Sequence, residues 1–144
     1  MFKLLSIVAY LGMVIGLLVL AVTRNLFSFS VLVIVPQIVA LLLILWARIT
    51  FGRRSFHVAA NPTEGGLVTI GPYRFIRHPI YTGVCVVTVA GVIAHVAWGS
   101  ALTGALVVTC ALVRMFFEEQ LLVVRYPEYR QYAARTWRMI PFVF

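Results

Sequence analysis

From Pro79 to Val113 the chain runs thirty-five residues without a Lys, Arg, Asp or Glu. Two shorter uncharged runs precede it, Leu4–Val22 and Phe27–Ala47. A helix needs about 20 residues to cross a hydrocarbon core of about 30 Å. The long run is too long for one crossing and sufficient for two short ones, with Trp98-Gly99-Ser100 offering a turn and an interfacial aromatic near its middle. The expected fold is therefore all-α: a polytopic membrane protein with four transmembrane helices, roughly 4–22, 28–48, 80–97 and 100–117, plus short interfacial helices. Helices are chosen because lipid forces the backbone to pair internally, and these runs lack the alternation of barrel strands. The apolar core of the first run is too long for a signal peptide, and Ala21-Val22-Thr23 is a poor cleavage site.

Composition agrees. Hydrophobic residues make up 62% of the chain and charged residues 11%, against about 25% charged in a soluble domain. Twelve residues are basic and four acidic, for a net charge of +8. Such a balance on a wet surface would suggest nucleic acid, but this chain has little wet surface, so no nucleic-acid partner is expected. The charge marks instead the cytoplasmic membrane face and anionic lipid.

The positions of the charges set an orientation. Lys3 precedes the first span; Arg48, Arg53, Arg54, Arg74 and Arg77 lie at or between the ends of the second and third; Arg125, Arg130, Arg135 and Arg138 follow the fourth. Only Arg24 dissents. The positive-inside rule then puts both termini and the 49–79 loop in the cytoplasm of a multi-pass inner or plasma-membrane protein. The chain reads as one membrane domain over 1–144: two N-terminal spans to 48, the loop 49–79, a hairpin 80–117 and an amphipathic tail 118–144.

The loop and the tail hold the chemistry. Ile49–Ala60 is expected as an interfacial helix with Arg53, Arg54 and His57 toward headgroups, and Asn61–Gly66 as a turn. In Gly71-Pro72-Tyr73-Arg74-Phe75-Ile76-Arg77-His78-Pro79, the last proline suits a first helical turn. Arg77 and His78 therefore stand beside a helix N-terminus, whose amides and dipole favour an anion. Glu118 and Glu119 stand side by side at the expected end of the fourth span, with Arg114 one turn earlier to pair with Glu118. A tail helix is expected from Tyr126-Pro127-Glu128-Tyr129 to Pro141. Taken singly, each of these residues has a plain reading: a positive-inside charge, a structural histidine, a solvated helix end, interfacial tyrosines. Their gathering on one membrane face argues for more. Cys85 and Cys110 read as small packing residues rather than a disulfide, and no metal-ligand spacing is present.

Gly71–Gly83 together with Glu118–Pro141 resembles the isoprenylcysteine carboxyl methyltransferase and phospholipid methyltransferase family of integral membrane enzymes. That family carries a Gly-Pro-Tyr-Arg, Arg-His-Pro, Tyr, Gly stretch before one membrane helix. It carries Glu-Glu after the next, then a Pro-Glu-Tyr-x-x-Tyr helix and a closing Arg and Pro. The resemblance covers residues 65–141 and implies S-adenosylmethionine as methyl donor. It implies cofactor contacts from Tyr73, Arg77, His78, Tyr81, Gly83, Glu118 and Glu119. It implies a lipid or other lipophilic small-molecule acceptor entering from the bilayer. Direct in-line methyl transfer needs no protein nucleophile, only alignment in a dry pocket. Arg77, His78 and Glu119 are the candidate catalytic residues, with His78 or Glu119 as base for an amine or phenol acceptor. Arg135 and Tyr129 are candidate substrate contacts, and a second protomer is a candidate partner in building the acceptor pocket.

Two other readings compete. An NADPH-dependent reductase of the sterol reductase type shares a His-Pro-x-Tyr-x-Gly stretch and an ending like Arg138-Met139-Ile140-Pro141, but usually has Asn and an acid where Ile80 and Val84 stand. A small four-helix transporter would need a carboxylate within the bilayer, and the first three spans contain none.

Overall fold

The structure is a computed structural model, and it describes residues 2–52 and 66–144, with side chains from Leu4 onward. Five α-helices occur among these residues: α1 (Phe2–Val22), α2 (Val31–Phe51), α3 (Pro79–Ala94), α4 (Trp98–Arg125) and α5 (Tyr129–Ala133). A 3-10 turn, Gly71–Arg74, precedes α3. The expected interfacial helix over 49–60 and turn over 61–66 lie mostly outside the described residues, and α2 itself extends to Phe51.

Three helices, α1, α2 and α4, are long and apolar enough to cross a membrane. The α3 helix is apolar but shorter, with sixteen residues; it rises only about 24 Å. His78 and His95 flank it, so a polar residue bounds each end.

The helices do not pack in chain order. The main contacts are α1 on α4, α4 on α3 and α3 on α2, so the α3–α4 hairpin is inserted between the first two helices. Small residues allow the close approach that lipid-embedded helices need. On α1, Gly12 and Gly16 face Cys110 and Val107 of α4, where added Cβ atoms would lie 2.9 and 2.5 Å from those side chains. On α3, Gly83 meets Ile44 and the Ala40 carbonyl of α2, and Gly91 meets the backbone of Asn25 and Leu26. The buried Gln37 of α2 donates to the Leu26 and Val87 carbonyls at 2.7 and 3.2 Å. Outside this core, α1 presents Leu4, Val8, Leu11, Ile15, Leu18 and Val22 as an exposed apolar stripe at helical spacing. Both cysteines are free.

Two expected boundaries are wrong, and both errors shift the site. Trp98-Gly99-Ser100 is not the turn but the first turn of α4; the connection is His95–Ala97. Ser100 closes it, accepting from the Ala97 N–H at 3.3 Å and donating to the His95 carbonyl at 2.6 Å. At its other end α4 runs eight residues past 117, to Arg125. Glu118 and Glu119 are good helix formers, the next residues are largely apolar, and the first strong breaker is Pro127. The two carboxylates are therefore inside a helix, not at a frayed end.

Candidate active site

The site forms where the segment before α3, the second half of α4 and the tail converge. Gly71 starts the approach with φ +60°, and a Cβ there would lie 2.6 Å from Thr50 Oγ1 on α2. This left-handed, crowded position fits glycine alone. Behind it Pro72 and Tyr73 are buried, and the Tyr73 ring lies 5.5 Å from that of Phe51.

The tail is not the long helix expected to end at Pro141. The α5 helix covers only Tyr129–Ala133. Arg77 supplies the reason: one nitrogen of its guanidinium donates to the Ala133 carbonyl at 2.9 Å and to the Thr136 carbonyl. The Ala133 carbonyl is one of those that a helix end leaves open, and the Thr136 carbonyl belongs to the bend that follows. The chain then extends and pairs in parallel with the segment before α3 through a bridge of Ile76 with Trp137. The Arg77 N–H donates to the Trp137 carbonyl at 2.8 Å, the His78 N–H to the Arg138 carbonyl at 2.9 Å, and the Trp137 N–H to the Phe75 carbonyl at 3.1 Å.

This pairing closes a cluster around Glu119, which is 7% exposed. Its Oε1 accepts from Arg77 Nε at 2.9 Å and lies 3.2 Å from His78 Nε2, while its Oε2 accepts from Arg138 Nε at 3.0 Å. Arg77 and His78, expected to face an anion, are thus met by one of the protein's own carboxylates. Both oxygens of Glu119 are committed.

Glu118 is held differently. Its Oε2 accepts from the Tyr81 hydroxyl at 2.8 Å, and that hydroxyl accepts from Arg114 Nε at 2.7 Å. Arg114 and Glu118, expected to pair at four-residue spacing, are linked through the Tyr81 phenol. Among the described residues Glu118 accepts this one hydrogen bond, and its Oε1 is left open. The Tyr81 ring stands 5.7 Å from that of His78, so the two carboxylate systems touch.

The expected site residues therefore divide. Arg77, His78 and Glu119 meet directly; Tyr81 and Glu118 adjoin them. The Tyr73 carbonyl accepts from the Tyr132 hydroxyl at 2.6 Å, which ties this loop to α5. Gly83 is buried against α2 and serves helix packing. Arg135 is exposed. Tyr129 is 2% exposed, and among the described residues no partner stands within ordinary hydrogen-bond geometry of its hydroxyl. Burial pushes the Tyr129 phenol pKa up, and the charge of Glu119 adds to this. Burial raises Tyr73 likewise, with Glu118 contributing. Tyr132 is pushed up to about 12 by burial, against the pull of Arg77. Arg138 and Arg114 complete the arrangement without having been expected as site residues. Arg114 carried a signal: it is a lone cation inside an apolar helix. Among the described residues no group of three or more His, Cys, Asp or Glu side chains is placed to hold a metal.

The sequence model of the isoprenylcysteine carboxyl methyltransferase (ICMT) family matches residues 30–124. The chain belongs to this family. As an ICMT-family protein it is a membrane methyltransferase. The match starts at the residue before α2 and stops one short of the end of α4. It includes α2, which the resemblance over 65–141 left out, and it omits α1 and the tail. Tyr73, Arg77, His78, Tyr81, Gly83, Glu118 and Glu119 fall inside it; Tyr129 and Arg135 fall outside. No curated protein and no solved structure matches the chain.

Proposed function

We propose that this ICMT-family protein transfers a methyl group from S-adenosylmethionine to a lipophilic, isoprenoid- or lipid-like acceptor at the cytoplasmic membrane face. The observation that carries the reading is the contrast between the two carboxylates: Glu119 saturated by three basic side chains, Glu118 oriented by Tyr81 with one oxygen open. The residues present fit the cofactor. Its ammonium and ribose hydroxyls are donors that suit the open Glu118 Oε1, and the buried Tyr129 hydroxyl, without a hydrogen-bond partner among the described residues, supplies a further polar contact beside Glu119. When bound, S-adenosylmethionine brings a methyl group already activated on a positively charged sulfur.

The protein's work is then binding and alignment. Arg77 and His78 hold Glu119, Glu119 holds Arg138, and the tail is fixed across the N-terminal end of α3. Tyr81 holds Glu118 in one rotamer. An acceptor reaching this end of the hairpin from lipid meets apolar helix flanks on its way. Because both oxygens of Glu119 are committed, His78 is the better candidate for a base where the acceptor must lose a proton. The exposed Arg135 is free to meet an anionic acceptor group or lipid phosphate.

In this reading α3 is the fourth crossing, short because its N-terminal end lies at the site, and both termini are cytoplasmic. The lopsided charge supports this, with Arg24 the one exception at the opposite end of the helices. Calorimetric titration of the detergent-solubilised protein tests the proposal. Saturable binding of S-adenosylmethionine, absent for NADPH, is expected, together with transfer of labelled methyl to a lipid extract. No binding of S-adenosylmethionine overturns it.

A further inference from the structure

Arg114 is 5% exposed inside α4, one turn before Glu118. Its contacts run in two directions. Toward the site, its Nε donates to the Tyr81 hydroxyl at 2.7 Å. Away from it, another guanidinium nitrogen donates to the Ser6 carbonyl at 3.2 Å, and its Cζ lies 4.6 Å from the centre of the Tyr10 ring. Both partners are on α1, which lies outside the residues matched by the ICMT family.

A phenol has one proton to give and lone pairs to receive. A guanidinium only donates and does not lose its charge in proteins. With Arg114 donating to it, the Tyr81 oxygen is committed as acceptor on that side, and its own proton has one charged destination, Glu118 Oε2. The carboxylate is then held in one orientation with the other oxygen presented. Without Arg114 the phenol is free to turn, and Glu118 is free to leave its rotamer.

We propose that Arg114 is a positioning residue of this enzyme: acting through the Tyr81 hydroxyl, it sets the Glu118 carboxylate, and through Ser6 and Tyr10 it makes α1 part of the active-site scaffold. This rests on the reading that Glu118 faces the cofactor. The role is indirect, since Arg114 reaches neither Glu118 Oε1 nor anything bound to it except by way of Tyr81.

The test is a double-mutant cycle on S-adenosylmethionine affinity, measured by calorimetry in detergent. Arg114→Met in the parent protein is expected to weaken binding about tenfold, the scale of one hydrogen bond to a charged group. Tyr81→Phe alone is expected to do the same. Adding Arg114→Met to Tyr81→Phe is expected to change affinity by less than about twofold, because the route is already cut. A purely structural arginine would instead lower affinity by the same factor in both backgrounds, and that result overturns the proposal. Unchanged affinity in Arg114→Met overturns it as well. If Arg114→Met does not fold, Arg114→Lys is run through the same cycle. It keeps the buried cation but not the fork that reaches Tyr81 and Ser6 together, and the same loss of effect with Tyr81→Phe is expected. Absence of binding by the parent protein sinks the cofactor reading itself, a distinct outcome from additivity in the cycle.

Discussion

Arg77 Nε and Glu119 Oε1 lie 2.9 Å apart, with side chains only 9% and 10% exposed, and join the segment before α3 to the second half of α4. The same guanidinium also takes up the Ala133 carbonyl at the end of α5 and the Thr136 carbonyl just beyond it. One side chain thus connects three parts of the chain that are distant in sequence.

Removing Glu119 leaves the buried Arg77 without its carboxylate, and removing Arg77 takes from Glu119 its most buried arginine while Arg138 and His78 remain; breaking a buried pair in this way costs up to about 3–5 kcal/mol. Arg77→Ala and Glu119→Gln are therefore expected to lower the unfolding midpoint in detergent strongly, whether or not cofactor is present. Arg138→Ala is expected to cost much less, since that side chain is 36% exposed and screened by solvent. Equal losses in the three variants would refute this ranking.

Glu118→Gln should behave in the opposite way. Its carboxylate is half-buried and takes one hydrogen bond from the protein, so the unfolding midpoint is expected to stay within about 1 kcal/mol of the parent. Cofactor affinity is expected to fall about tenfold or more. A variant with parental affinity would remove Glu118 from the site.

Gly83→Ala separates packing from binding. The new Cβ would lie 2.4 Å from Ile44 Cγ1 and 2.9 Å from the Ala40 carbonyl oxygen. Overpacking of this kind costs about 1–3 kcal/mol. The expected outcome is a lower unfolding midpoint with cofactor affinity unchanged in the folded fraction; a selective loss of affinity would restore Gly83 as a cofactor contact.

Three phenols at the site supply a pH signature. Tyr73, Tyr129 and Tyr132 all have raised pKa values in the folded chain. A raised value means that the neutral form is favoured by folding. The stability it contributes is whole below the ordinary tyrosine value of about 10. It is lost as pH rises through the folded value, about 12 for Tyr132. Spectrophotometric titration should show these phenolates appearing late and together with unfolding. Their appearance near the ordinary value in a still-folded protein would contradict the burial described.

Much of this was legible in the sequence. The uncharged runs marked the helices because hydrocarbon admits little else, and the Arg77-His78-Pro79 and Glu118-Glu119 stretches marked the cluster now proposed as the site, because charge beside lipid needs a reason. The limits of α4 were misread because Trp-Gly-Ser resembles a turn, whereas Ser100 works as a helix-start residue. Adjacent acids likewise resemble a helix end when most of their partners stand 37 to 42 residues away. Gly12 and Gly16, spaced four apart in an apolar helix, carried the α1–α4 contact openly and were not used. The pairing of 75–78 with 137–138 had no local signal, since two extended segments of a few residues are recognisable only once they meet.

That pairing has a consequence for how the protein is made. Among the described residues, every helix long enough to enter the bilayer is complete by Arg125, yet Glu119 acquires its Arg138 partner, and Arg77 its carbonyl partners, only from residues 133–138. During synthesis these residues leave the ribosome after the apolar helices, so at that stage the carboxylate of Glu119 is without its full set of counter-charges. The apolar helices and the closing of the site are thereby separated in chain order, with the 133–138 segment made after the helices it fastens.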